Sequence, residues 1–270
     1  MKRLVVIVLC AGSLLAQEEG RKIRVPLRDP SRPARVHVEL ITGNISVRGA
    51  DVKDVEFELG STRRRDHESR ETGPDGMKRL DLPGNSGIDV VEDNNVVTFK
   101  VEPWGTWGDL VITVPRQSSL QLKAVNSRGI HVAQVDGEID VDEVNGKITL
   151  ENVSGSVVAH CLNGGVVATL DRIDPSKPMS FSTLNGNIDV TLPADVKANV
   201  RLKTDNGAIY SDFEVRLAPQ SGSLEGGSER QPDGAYHLRL DHVLRGTING
   251  GGPDLQFTSF NGKIYVRKRK

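Results

Sequence analysis

The sequence is poor in cysteine, poor in aromatic residues and without an excess of either charge. Two cysteines, Cys10 and Cys161, occur in 270 residues, which excludes the dense disulfide framework of small secreted domains. Phe, Trp and Tyr make up 4% of the chain, so a core must be built mainly from aliphatic side chains. Lys and Arg number 35 against 36 Asp and Glu, and no global field draws the chain toward nucleic acid or anionic lipid. After the N-terminus no stretch approaches the roughly 20 apolar residues of a membrane helix. The six histidines are scattered, with no H-E-x-x-H and no Cys/His metal spacing. A nucleophile elbow, a P-loop and a dinucleotide fingerprint are also missing. No cofactor and no metal are therefore expected.

The one apolar run lies at the start, MKRLVVIVLCAGSLLAQ. Lys2 and Arg3 precede Leu4 to Leu15, and small Ala16 stands before polar Gln17. That charge order predicts a signal peptide over 1–16. The chain from 17 onward is then exported: periplasmic, cell-surface or secreted. Leu9 before Cys10 is too bulky for a lipid-anchor site. The mature chain keeps Cys161 alone, a small core residue on a strand whose neighbour His160 points the other way.

What the sequence has in quantity is glycine, 28 residues, and a repeat. Val135 to Leu170 reads VDGEIDVDE, VNGKITLEN, VSGSVVAHC, LNGGVVATL. Ile139, Ile148, Val157 and Val166 recur every nine residues, as do Val141, Leu150, Ala159 and Ala168, and Val135, Val144, Val153 and Leu162. Alternation within each unit predicts a strand with one buried face. Nine is odd, so an unbroken strand would flip that face at every repeat, and the chain must turn a corner once per unit. Gly137, Gly146, Gly155 and Gly164 supply turn residues suited to positive φ. The phrase returns around Asn44, then with Gly186, Gly207 and Gly262 at wider spacing. Those intervals predict that a full coil holds two units, or one unit and a longer return. A nine-residue unit cannot bury its own apolar face, but stacked units cover one another. The expected fold is all-β: a β-solenoid of short strands with N-G corners and peripheral hairpins. Antiparallel hairpins throughout are the competing reading, since Asn-Gly also favours them.

One domain is expected over 17–270, with insertions near 61–87 and 216–236. Ile88 to Val114 reads as hairpins, turning at Asp93-Asn94-Asn95 and again at Trp104 to Trp107.

The φ-N-G-x-I-x-V rungs, and the ending LRGTINGGGPDLQFTSFNGKIYV from Leu244 to Val266, resemble the bacterial "putative adhesin" domain of unknown function, also called the toastrack domain. The resemblance covers most of the chain after Val36. It implies a β-helix-like solenoid in a bacterial cell envelope and brings no catalytic residues.

Candidate chemistry is sparse. Calcium β-rolls need an aspartate in every unit, but the positions three after each glycine hold Asp140, Thr149, Val158 and Val167. Glu138, Asp140 and Asp142 share one outward strand face, as solvated strands require, although paired carboxylates also serve glycoside cleavage. Asn145, Asn163, Asn185, Asn206 and Asn261 would stack as an amide ladder. The runs Arg63 to Arg65 and Arg267 to Lys270 are solvated ends or contacts for anionic polymers. Trp104 and Trp107 form the expected interaction surface, or else cap the core.

The expected function is a non-enzymatic, adhesin-like or ligand-presenting envelope scaffold. Its partner would be an envelope protein or glycan, and its solenoid ends would allow self-association through open sheet edges. A polysaccharide lyase or hydrolase on a β-helix is the rival, marked by a long groove of acids beside Arg or Lys. An envelope-stress sensor component is a third reading.

Overall fold

The computed structural model describes residues 21–60, 88–101, 108–218, 228–230, 236–238 and 243–270. The 1–16 leader, Trp104, Trp107, Arg63 to Arg65 and most of both expected insertions lie outside them. The strands are β1 (Arg21–Pro26), β2 (Ala34–Thr42), β3 (Ile45–Ala50), β4 (Asp54–Leu59), β5 (Ile88–Asp93), β6 (Val96–Val101), β7 (Leu110–Pro115), β8 (Ser118–Asn126), β9 (Gly129–Ala133), β10 (Asp136–Glu143) and β11 (Lys147–Asn163). There follow β12 (Val166–Ile173), β13 (Met179–Asn185), β14 (Ile188–Leu192), β15 (Ala198–Asn206), β16 (Ile209–Ser211), β17 (Arg216–Leu217), β18 (Ser228–Arg230), β19 (Tyr236–Leu238), β20 (Val243–Ile248), β21 (Asp254–Asn261) and β22 (Ile264–Lys268).

The coil period is 18 residues, two nine-residue units. Ile130, Ile148 and Val166 lie side by side on parallel strands, while Ile139 pairs with Val157 on the opposite face. All five are buried. Successive phrases therefore alternate between two sheets, and the odd period is absorbed by one corner per unit. β11 crosses such a corner without leaving its ladder: Asn152 adopts φ 51° and Gly155 φ 105°, and the register shifts between Leu150 and Ser154.

The first face stacks β6, β2, β8, β10, the second half of β11, β13, β21 and β15, all parallel. The second stacks β7, β3, β9, the first half of β11, β12, β14, β22 and β16, also parallel. Eight coils result, extending roughly 34 Å along the axis at about 4.8 Å each. The fold is the expected solenoid, and parallel pairing displaces the hairpin alternative from its body.

Small aliphatic side chains fill the space between the sheets as one continuous core. Two stacked phenylalanine pairs thicken it, Phe57–Phe99 at 5.0 Å and Phe181–Phe257 at 5.3 Å between ring centroids.

Sequence order and spatial order part at both ends. The coil β2–β3 lies between β6–β7 and β8–β9. The last coil, β21–β22, is inserted between β13–β14 and β15–β16. Antiparallel strands then cover the ends: β5 on β6, β4 on β7 with β1 on β4, and β20 on β15 with β17 on β20. The hairpin β5–β6 turns at Asn94 and Asn95 as expected, both with positive φ. The second expected hairpin is corrected: β7 does not pair with β6 but crosses to the other face beside β3. Its apolar alternation, Leu110, Ile112 and Val114, is satisfied equally by a rung.

Candidate interaction surface

The corners from first to second face carry the glycines Gly146, Gly164, Gly186, Gly262 and Gly207, in that spatial order. Gly137 and Gly155 stand at the opposite corner. Among these seven only Gly155 has a positive φ, so the glycines stand at the corners as expected but the expected positive φ is corrected for the other six. What the corner requires is room: a Cβ on Gly164 would lie 2.0 Å from the Gly146 carbonyl oxygen.

Beside this column runs the asparagine ladder. Asn206 donates to Asn261 at 2.9 Å, Asn261 to Asn185 at 2.8 Å, Asn185 to Asn163 at 2.9 Å, Asn163 to Asn145 at 3.0 Å and Asn145 to Asn126 at 3.0 Å. All five expected asparagines take part, and Asn126 adds a sixth. Every amide points its N–H the same way, so the dipoles align and reinforce one another.

Inside the same corner a second column was missed by sequence reasoning. Cys161 donates to the Gly146 carbonyl, Thr183 to Gly164, Ser259 to Gly186 and Thr204 to Gly262. The signal was available: each stands two residues before an Asn-Gly pair. Glu143 occupies this position in its own coil and accepts instead, from Ser127 at 2.7 Å. Burial raises the Glu143 carboxyl above its ordinary value, opposed by hydrogen bonds from Ser127 and the backbone. Burial also pushes the Cys161 thiol up to about 11. It is a packed donor to the Gly146 carbonyl, and His160 faces outward, bonded to Ser182 at 2.8 Å.

Outside the ladder lies a ridge. The series Val135, Val144, Val153 and Leu162 splits: Val135 and Val153 are buried, whereas Val144 and Leu162 face outward and are half-buried. The two kinds of corner are not equivalent. Register places Ile41, Val125, Val144, Leu162, Leu184 and Phe260 in one line down the first face. Ile41 is 54% exposed, Leu184 and Phe260 41% each. The line spans roughly 24 Å. A polar column flanks it on the side away from the ladder, including Lys123, Asp142, His160, Ser182 and Thr258.

A groove of about 520 Å³ opens at the opposite corner, lined by Asp136, Glu138, Arg172, Asp174 and Lys177 among others. Arg172 binds Asp136 at 2.6 Å, and Lys177 bonds Glu138. The Lys177 hydrogen bond and charge lower Glu138, and Ser176 lowers Asp174. Asp140 is raised, by burial and then by Asp142, but it does not line the groove. The C-terminal basic run is similarly tied down: Arg267 binds Asp189 at 2.7 Å and Arg269 pairs with Asp171. No group of three or more metal-binding side chains occurs among the described residues.

No family model matches the chain, and no curated protein does. Two solved structures are similar to it. One is a "putative cell adhesion protein" from Clostridium sporogenes, 7% identical over 93% of this chain and 100% of that one, with a TM-score of 0.44. The other is a "putative adhesin" from Bacteroides fragilis, 12% identical over 94% of this chain and 98% of that one, with a TM-score of 0.27.

Proposed function

We propose that the chain is an exported, non-enzymatic cell-envelope scaffold whose first face is an adhesin-like contact surface for a glycan or envelope protein. The observation that supports this reading is the outward ridge from Ile41 to Phe260. Six apolar side chains stand in register beside a hydrogen-bonded amide ladder, on a sheet backed by a packed core. Exposed apolar area of this kind marks contact sites, and a preorganised surface avoids the ordering cost of binding. The leader-like run from Lys2 to Leu15 supports export.

Binding of the purified chain to isolated cell envelopes tests it. Leu184→Asn with Phe260→Asn is expected to weaken binding about tenfold, the scale of losing one well-buried apolar contact, with the melting temperature kept. Undiminished binding would remove the ridge from the function.

The polysaccharide-enzyme reading draws on the groove of acids and bases. A general acid there must be protonated near neutrality, yet Glu138 and Asp174 are both shifted downward. Release of reducing ends from envelope polysaccharide, lost in Glu138→Gln, would reverse the preference.

A further inference from the structure

A second cleft lies at the far end of the first face, about 570 Å³ in volume, between β15, β17, β20 and β21. Arg201, Arg216 and Arg245 line it. Arg201 stands directly opposite Arg245 across the antiparallel pair. Arg216 pairs with Thr247, two positions along the same strand from Arg245, so all three project from one face. The facing position on β21 is Gln256, an uncharged amide. Asp254 is the one carboxylate among the described lining residues, and it already accepts from Asn199 at 3.0 Å.

Several arginines elsewhere on this molecule are matched: Arg24 with Glu56, Arg128 with Asp109, Arg172 with Asp136, Arg267 with Asp189. Arg201 and Arg216 have no side-chain hydrogen bond or ion pair among the described residues. Two unpartnered guanidinium forks in one concave site, with a third beside them, make a receptor for a carboxylate, sulfate or phosphate group.

We propose that this cleft binds the anionic groups of an acidic glycan. The lining supports a sugar rather than a nucleic acid. Thr247 and Gln256 offer hydrogen-bonding groups to hydroxyls, Leu217 offers an apolar wall, and no described lining residue is an aromatic on which bases would stack. The site goes beyond the contact ridge and does not depend on it.

Titration calorimetry of the whole chain with oligogalacturonate, a sulfated glucan and inorganic polyphosphate decides the matter. Arg201→Gln with Arg216→Gln is expected to weaken the glycan about tenfold or more. The charge-matched control Arg48→Gln with Arg116→Gln should change it less than about twofold, because an exposed charge outside the site contributes little. Uronate binding above sulfated glucan assigns a carboxylate ligand, and the reverse assigns a sulfate. Equal weakening by both double variants, polyphosphate binding tighter than either glycan, or no binding at all overturns the proposal. The Leu184→Asn/Phe260→Asn chain should keep its anion binding, which separates failure of this site from failure of the ridge.

Discussion

At the scale of single residues, the corner is a set of stacked backbones in which two neighbours do different work. Asn163 makes two side-chain hydrogen bonds along the ladder, yet it is exposed, so water replaces much of what Asn163→Ala removes. We expect a loss of about 1 kcal/mol, the ordinary net value of a hydrogen bond. Gly164→Ala should cost more, about 2–4 kcal/mol, because its Cβ would sit 2.0 Å from the Gly146 oxygen and two parallel ladders would have to part. Urea melts of the two variants check the order. Glu143 predicts a pH dependence. Burial raises its folded-state value above the ordinary 4.5, so its contribution is fully present below the unfolded value and lost as pH rises through the raised one. Glu143→Gln should flatten that part of the stability profile, measured by melting from pH 4 to pH 8. The asparagines were legible because Asn-Gly recurs at fixed spacing. The donors Cys161, Thr183, Ser259 and Thr204 were not, since three different residue types share one task.

At the scale of elements, the period announced the coil but not the order of coils. FNGKIYV carries the same signature as LNGNIDV, and nothing local says which rung it will stack on. The inserted β21–β22 is what ties β15 and β16 to the stack, since among the described residues β15 otherwise pairs only with β20 and β16 with no other strand. A rung in a solenoid is stabilised by its immediate neighbours alone. A chain ending at Ile248 should therefore lose amide-exchange protection over 198–211 while Ile130 to Leu170 keeps it. Exchange followed by mass spectrometry reads this directly, and protection retained over 198–206 would show that β20 alone suffices. The β7 correction has the same origin: a six-residue alternating strand serves a hairpin and a rung equally well.

At the scale of the molecule, function was less legible than fold because outward residues answer to solubility as well as contact. The polar flank Lys123, Asp142 and Ser182 would suit any solvated sheet, and only register revealed that Val125, Leu162 and Phe260 align beside it. The ends pose the opposite problem, since a stack of parallel rungs terminates in open edges that invite pairing. β1 is the cover at one of them. Its Lys22 and Arg24 pair with Glu58 and Glu56 of β4, and it closes on Pro26, which has no N–H to offer. Association through this end is then expected of the uncovered chain. Sedimentation velocity over a tenfold concentration range should show one unchanged species for the chain bearing β1. A chain beginning at Leu27 leaves the six-residue edge of β4 bare, and its sedimentation coefficient should rise with concentration. If both chains sediment alike, the charged strand is not what keeps the solenoid from joining end to end.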